Sequence, residues 1–360
     1  MHKKIAVLPG DGIGPEVMAE ALRVLQAVAH EFGHYFEFAQ GLVGGAAYDA
    51  TGEHFPAVTV ELCRSSDAIL FGSVGGPVAE ASQDKWRNCE ANSVLALRKT
   101  FSFNANIRPV RVYESLREMC PLRSEVIGDG IDIVFVRELI GDIYFGEHKR
   151  FVENGLRCAT DVAEYNEEQV ASVARQAFAL AQVRRKKVTS VDKANVLSTS
   201  KLWREVVTEV AAEFPEIELE HMLVDNCAMQ IIKKPTQFDV IVTANLFGDI
   251  LSDAAAILPG SLGLLPSAGL NAEGFGYYEP SGGSAPDIMG QGIANPIAQI
   301  LSAAMMLKTS FGLVREAMAI EQAVEKTLVD GFRTADIYND NGRKVTTREM
   351  ADAVIARLRA

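Results

Sequence analysis

Asp249 and Asp253 stand four residues apart, just after Asn245-Leu246-Phe247-Gly248. On a helix, carboxylates at that spacing share a face and can offer hard oxygens to one divalent ion, Mg2+ or Mn2+. They would equally suit a first helical turn, where acids complement the dipole. Asp225, in Leu223-Val224-Asp225-Asn226, is a third carboxylate and tips the balance towards metal. Arg98, Arg108 and Arg137 each adjoin an apolar residue (Leu97, Ile107, Val136), where an unpaired guanidinium is costly. A small ligand with two carboxylates would match the planar guanidinium fork, and ordinary internal salt bridges would also satisfy it. Tyr144 follows a glycine-containing turn, and Lys193 lies in Ser190-Val191-Asp192-Lys193-Ala194-Asn195 beyond a strand-like run. Loops after strands are where α/β proteins place chemistry, and a nearby dication can bring either group's pKa into a useful range.

Two other motifs carry less. Gly10-Asp11-Gly12-Ile13-Gly14 resembles a dinucleotide fingerprint, but the sixth position is Pro15, which has no N–H for a pyrophosphate. A tight structural turn and a ligand-contacting loop both remain open. His30-Glu31-Phe32-Gly33-His34 fits H-E-x-x-H, yet Gly33 falls where a helix should stop, so a zinc hydrolase is disfavoured against a helix C-terminus bearing histidines.

These residues need elements to hold them. Ile5–Leu8 reads as a strand, Pro9–Gly14 as a turn, and Pro15–Ala29 carries Val17, Ala21, Leu22, Leu25 and Val28 at helical spacing. Strand-like runs recur at Ala68–Phe71, Ile131–Val136, Lys187–Val191 and Val240–Ala244, the last followed by a helix from about Asp249, which makes an α/β chain. A glycine- and proline-rich stretch from Ile257 to Leu270 then suggests a crossing between lobes. The basic run Arg184 to Lys187 reads as a solvated helix end.

At 360 residues, two lobes are a fair expectation, and 48% hydrophobic with 23% charged residues suits an ordinary folded chain. Acidic residues outnumber basic ones 47 to 35, a net charge of −12 that disfavours nucleic acid and anionic membrane as partners. Cys63, Cys89, Cys120, Cys158 and Cys227 form no CxxC pair, and their odd number suits a reducing compartment. No apolar stretch reaches the roughly 18 residues that span a bilayer, so a soluble, cytoplasmic protein is expected.

Ordered blocks through nearly the whole chain resemble the isocitrate/isopropylmalate dehydrogenase family of β-decarboxylating dehydrogenases: LPGDGIGPEV, GSVGGP, LRKTFSFNANIRPV, VREL..DIYFGE, SVDKANVL, VDNCAMQ, TANLFGDILSD and GGSAPDIMGQGIANP. The resemblance implies a two-lobed α/β fold that is not a Rossmann fold, with the active site in the cleft between lobes. A discontinuous first lobe (1–103 plus 257–360) would carry most of the NAD site. The second (104–256) would carry metal ligands, the dimer interface and an arm at about 144–161.

By the same resemblance, Arg98, Arg108 and Arg137 hold the carboxylates of a 2-hydroxy dicarboxylate. Asp225, Asp249 and Asp253 hold Mg2+ or Mn2+, with room left for a monovalent cation. Lys193 helps take the hydroxyl proton and Tyr144 protonates the carbon that loses CO2, while Lys193 and Asp225 cross from the partner of a homodimer. Ile13, Glu90, Gly283, Ser284, Ala285, Asp287, Ile288 and Asn295 fall at NAD-contacting positions.

Isocitrate enzymes of the family carry serine and asparagine at the positions of Asn92 and Val94. With Leu95 alongside, this pocket suits a hydrocarbon group such as the isopropyl of 3-isopropylmalate, and would leave a third carboxylate unpaired. Asp287-Ile288 replaces the Lys-Tyr of NADP-type enzymes, and an aspartate binds ribose hydroxyls but repels a 2′-phosphate. The expected reaction is oxidative decarboxylation with reduction of NAD. D-malate, tartrate, homoisocitrate and isocitrate are alternative substrates, and a non-catalytic metal- or nucleotide-binding protein is the alternative from another class. The chain departs from the common pattern at Gly282, where many relatives have histidine, and at Ile140 and Asp142, where small or hydroxyl residues are commoner.

Overall fold

The computed structural model describes residues 1–358. In chain order the main elements begin with β1 (His2–Gly10), α1 (Gly14–Phe32), β2 (Tyr35–Gln40), β3 (Ala68–Ser73), β4 (Ala105–Arg111), β5 (Asp132–Glu138), β6 (His148–Glu153), β7 (Leu156–Asp161) and α2 (Glu167–Gln182). There follow β8 (Lys187–Asp192), α3 (Ser198–Ala211), β9 (Glu218–Leu223), α4 (Val224–Lys233), β10 (Val240–Thr243), α5 (Asn245–Ala255), β11 (Pro266–Leu270), β12 (Gly276–Pro280), α6 (Ile297–Thr309), α7 (Val314–Val329) and α8 (Thr347–Ile355). Contacts divide this mixed α/β chain into two compact units.

The first unit comprises Met1–Phe101, Tyr113–Cys120 and Pro259–Ala360. Its strands lie in the order β2-β1-β3-β12-β11, parallel except where β11 meets β12. Ile5, Ala6, Val7 and Leu8 are fully buried, as a strand covered on both faces requires. The helix α1 buries Val17, Ala21, Val24, Leu25 and Val28, one apolar stripe at helical period. It starts with Pro15 in its first turn and stops at Gly33, which adopts a left-handed φ of 71°. His34 therefore lies past the helix, with its ring 2.6 Å from Glu316, and His30 and His34 share no continuous helical turn. Among the described residues no group of three or more His, Cys, Asp or Glu could hold a metal ion. The helix α6 is buried almost all round and packs on β11 and β12. That Tyr113–Cys120 belongs to this unit has a tertiary cause: Leu116 is buried, and Arg333 donates to the Ser115 carbonyl.

The second unit comprises Ser102–Val112 and Pro121–Leu258. Its strands run β4-β5-β10-β8-β9, parallel apart from β4 against β5. Asn166 and Gln169 close a capping box at the start of α2, and Trp203 of α3 is buried against Tyr165. The strands β6 and β7 form a separate hairpin, exposed along nearly its whole length. The basic run after α2 is a helix end, but two of its members are not simply solvated. Arg184 Nε donates to Asp239 at 2.8 Å, and the Arg185 backbone N–H reaches the other oxygen of the same buried carboxylate at 2.8 Å. A buried carboxylate needs such partners, which is why the run is drawn in. Among the described residues no helix is long and apolar enough to cross a membrane.

Candidate functional site

In the second unit, α5 starts at Asn245, four residues before the position expected from sequence. Asp249 therefore lies in the second turn, and no acid occupies the first. The dipole explanation for the pair loses its ground, and both carboxylates instead meet arginines from neighbouring strands. Arg137 of β5 is buried and pairs with Asp249 through Nη1, while its Nε and Nη2 donate to Asn245 Oδ1 at 3.0 and 2.8 Å. Arg108 of β4 reaches Asp253 Oδ1 at 2.9 Å, Ser252 at 2.8 Å and Asn106 at 2.6 Å. Tyr144, on the turn after β5, donates its hydroxyl to Asp249 Oδ2 at 2.8 Å. A glycine lets Arg137 lie across the helix: a Cβ at Gly248 would meet Arg137 Cγ at 2.7 Å.

Lys193 follows β8 and donates to Asp225 Oδ1 at 2.6 Å; Asp225 opens α4 and is exposed. Lys193 holds the Asp225 carboxyl below its ordinary pKa by that hydrogen bond. Bidentate pairing of Arg204 with buried Asp192, at 2.9 Å on both arms, pins the loop that carries Lys193. Asp225 does not join Asp249 and Asp253 in this chain, since the described residues gather no set of three. Two hard carboxylates on one helical face still fit a dication that takes oxygen ligands, and exposed Asp225 has the same donor chemistry.

Sequence reasoning missed what lies beneath this cluster. Glu138, the last residue of β5, is fully buried and accepts from the Ile140 and Gly141 N–H groups and from Tyr165 Oη at 2.7, 2.9 and 2.9 Å. Burial pushes its carboxyl up to about 7 despite those bonds. Tyr165 is pushed well above its usual value by burial and by Glu138, and its oxygen accepts the first N–H of α5, from Asn245, at 2.9 Å. A buried acid ending an apolar strand was the available signal.

In the first unit, the Gly10–Gly14 turn is structural in its backbone. Asp11 N–H goes to the Ser73 carbonyl at 2.7 Å and Ile13 N–H to that of Ser284 at 2.8 Å, which leaves neither for a phosphate. Gly12 has a φ of 58°, and a Cβ there would sit 1.9 Å from the Ser284 oxygen. Asp11 turns its buried carboxylate to the N–H groups of Gly45, Ala46 and Gly75. The Ile13 side chain nonetheless lines a cavity of about 430 Å³, together with Gly283, Ala285, Ile288 and Asn295. Of the other expected cofactor residues, Ser284 is buried behind its contact with Ile13, and Glu90 and Asp287 are exposed. Leu262, Ile293, Ala298, Gln299 and Asp336 also line the wall and were not foreseen. Gln299 is 1% exposed, and neither polar atom of its amide has a partner among the described residues. A buried amide without partners on the wall of a mostly apolar cavity is what a nucleotide's polar edge would complete. A lone glutamine in the apolar run Ile297–Leu301 was the sequence signal.

Arg98, also in the first unit, donates Nε to Tyr277 Oη at 2.7 Å and approaches Glu279 at 3.4 Å. Val94, four residues earlier, is buried, and Leu95 is partly so. All three arginines thus have partners within the chain, as the salt-bridge alternative required.

The family model described as isocitrate/isopropylmalate dehydrogenase matches residues 4–354. The 3-isopropylmalate dehydrogenase of Mannheimia succiniciproducens is 55% identical over 357 residues, covering 97% of this chain and 98% of its own length. That of Geobacillus kaustophilus is 56% identical over 352 residues, covering 98% and 94%. Among solved structures, isocitrate dehydrogenase from Methylococcus capsulatus aligns with a TM-score of 0.86 at 35% identity over the full length of both chains. A β-decarboxylating dehydrogenase from Thermococcus kodakarensis aligns with a TM-score of 0.81 at 36% identity, covering 99% of this chain and 96% of its own.

Proposed function

The chain belongs to the isocitrate/isopropylmalate dehydrogenase family, and on that premise we propose that it converts (2R,3S)-3-isopropylmalate to 4-methyl-2-oxopentanoate and CO2 with reduction of NAD, a step in leucine biosynthesis. The observation that carries this reading is the convergence of Arg137 and Tyr144 on Asp249, with Arg108 on Asp253 one turn along the same helix. A carboxylate-binding guanidinium, a proton donor and an oxygen-rich metal face are what oxidative decarboxylation of a hydroxy diacid needs in one place.

Arg98, Arg108 and Arg137 bind the substrate carboxylates, exchanging their present partners for the ligand's. Val94 and Leu95 receive the isopropyl group. Lys193, beside Asp225, helps take the C2 hydroxyl proton, and Tyr144 returns a proton to C3 as the carbon–carbon bond to the departing carboxylate breaks. When bound, NAD would take the C2 hydride and Mg2+ or Mn2+, held by Asp249, Asp253 and Asp225, would offset negative charge on the substrate oxygens. Gln299, Asn295, Ile13, Ala285 and Ile288 suit the nucleotide end, and exposed Asp287 favours ribose hydroxyls over a 2′-phosphate. Lys193 and Asp225 serve the site of a second copy in a homodimer, a reading supported by the separation of Asp225 from the other two aspartates in one chain. The five cysteines suit a reducing cytoplasm.

The test is NAD reduction followed by absorbance at constant Mg2+ across 3-isopropylmalate, D-malate, tartrate, homoisocitrate and isocitrate. The highest kcat/KM is expected with 3-isopropylmalate, and Val94→Asn should narrow its lead over isocitrate. A higher value for isocitrate on the unmodified protein overturns the substrate assignment. No reduction with any diacid would favour a non-catalytic binder.

A further inference from the structure

Asp142 occupies backbone that favours glycine, with a φ of 68°, and its side chain is buried. Something must hold it there, and its hydrogen bonds show what. One carboxylate oxygen accepts the Leu246 N–H at 3.1 Å, in the first turn of α5, and the other accepts the Ile143 N–H at 2.9 Å. Its own carbonyl accepts from Phe145 and Gly146 at 3.3 and 3.2 Å, folding the turn that carries Tyr144. At its N-cap α5 has Ala244, which has no side-chain acceptor to give, so acceptors must come from elsewhere in the chain. Tyr165 serves the Asn245 N–H and Asp142 the next one along. The Asn245 amide closes the circuit by donating to the Gly141 carbonyl at 3.1 Å.

The Tyr144 turn is therefore tied to α5 at two heights: at the first turn through Asp142 and at the second through the Tyr144 hydroxyl on Asp249. We propose that Asp142 is a positioning residue for Tyr144: its carboxylate clasps the start of α5 and thereby sets the tyrosine hydroxyl against the helix that bears Asp249 and Asp253. A negative charge is also favoured at that end of the helix dipole, which strengthens the clasp. The inference rests on the proposal that Tyr144 is the proton donor. It adds that the donor's place is set by a residue that never touches the substrate.

Asp142→Gly removes the carboxylate while supplying the residue that this backbone prefers, so loss of function should not come from strain. Hydrogen–deuterium exchange should quicken at 141–146 and 245–248. With 3-isopropylmalate, kcat should fall about tenfold with KM within about twofold. Asp142→Asn keeps an oxygen that can accept the Leu246 N–H, and should restore exchange and kcat to within about threefold of wild type. In a Tyr144→Phe background, Asp142→Gly should cost less than about twofold more, because the two changes remove one function. A merely structural cap would slow both backgrounds alike, and that outcome overturns the proposal, as does unchanged exchange with kcat within about twofold of wild type. If the unmodified protein oxidises no hydroxy diacid, the functional reading fails, and exchange alone decides the clasp: faster in Asp142→Gly supports it, and equal overturns it.

Discussion

Gln299 in the cavity of the first unit and the charged groups of the α5 cluster of the second are held in opposite ways. In the cluster the charges have partners, Arg137 with Asp249 and Arg108 with Asp253, as Lys193 has Asp225 elsewhere in the unit. In the cavity Gln299 keeps a whole amide buried with no partner among the described residues. The difference follows from magnitude. An uncompensated buried charge costs several kcal/mol at least, which a marginally stable chain cannot carry, so charges must be satisfied before any ligand arrives. A neutral amide costs about 1–3 kcal/mol, which a chain of this size can sustain. Binding at the cluster would therefore be an exchange of partners, whereas binding at the cavity would be a first pairing.

The strongest way to break this contrast is Arg137→Met. It leaves Asp249 with only the longer approach of Arg108 at 3.8 Å, and Asn245 Oδ1 without the guanidinium that donates to it. Initial rates should show kcat/KM down about 1000-fold, and urea melts a loss of about 3 kcal/mol. A loss under tenfold would mean that the cluster is not held by its pairs.

Next in size is the pH dependence of stability. Glu138 holds its proton more tightly folded, at about 7, than at its ordinary 4.5. Protonation thus favours the folded state: that contribution is whole below pH 4.5 and is lost as pH rises through about 7. The fall across that window should be about 3 kcal/mol, read by urea melts at several pH values, and Glu138→Gln should flatten it. An unchanged slope in the variant would separate Glu138 from the cluster's stability.

The smallest effect should come from the cavity. Gln299→Leu removes an orphaned amide, so the ligand-free protein should gain about 1 kcal/mol while NAD affinity by calorimetry falls about threefold. Stability and affinity moving in opposite directions sharpens the contrast. If both fell together, the amide would already be satisfied without ligand.

What was legible in sequence divides along similar lines. Strands such as Ile5–Leu8 and Val240–Thr243 are short apolar runs, and α1 has its stripe, its Pro15 and its Gly33, so local signals agree. The start of α5 did not show, because Asn245 and Gly248 look like loop residues. Their reasons are tertiary: the Asn245 amide serves Arg137 and Gly141, and Gly248 makes room for Arg137. The arginines, aspartates, Tyr144 and Lys193 could be singled out by type and spacing, but their partners could not. Glu138, Tyr165 and Gln299 went unremarked because burial is decided by residues distant in the chain. Asp142 registered only as an unusual residue, since neither its left-handed backbone nor its grip on Leu246 has a local signature.

The strand β3 pairs with β12, and Ile13 bonds to Ser284, so the first unit is stitched from the two ends of the polypeptide. At ribosomal speeds of about 5–20 residues per second, the roughly 200 residues between those strands take about ten to forty seconds to emerge. Throughout that interval the Ala68–Phe71 edge is bare apolar backbone with its neighbour not yet made, open to pairing with the wrong chain. The wall of that unit's cavity is thus among the last things a newborn copy can finish, and chaperones have most to protect just before it closes.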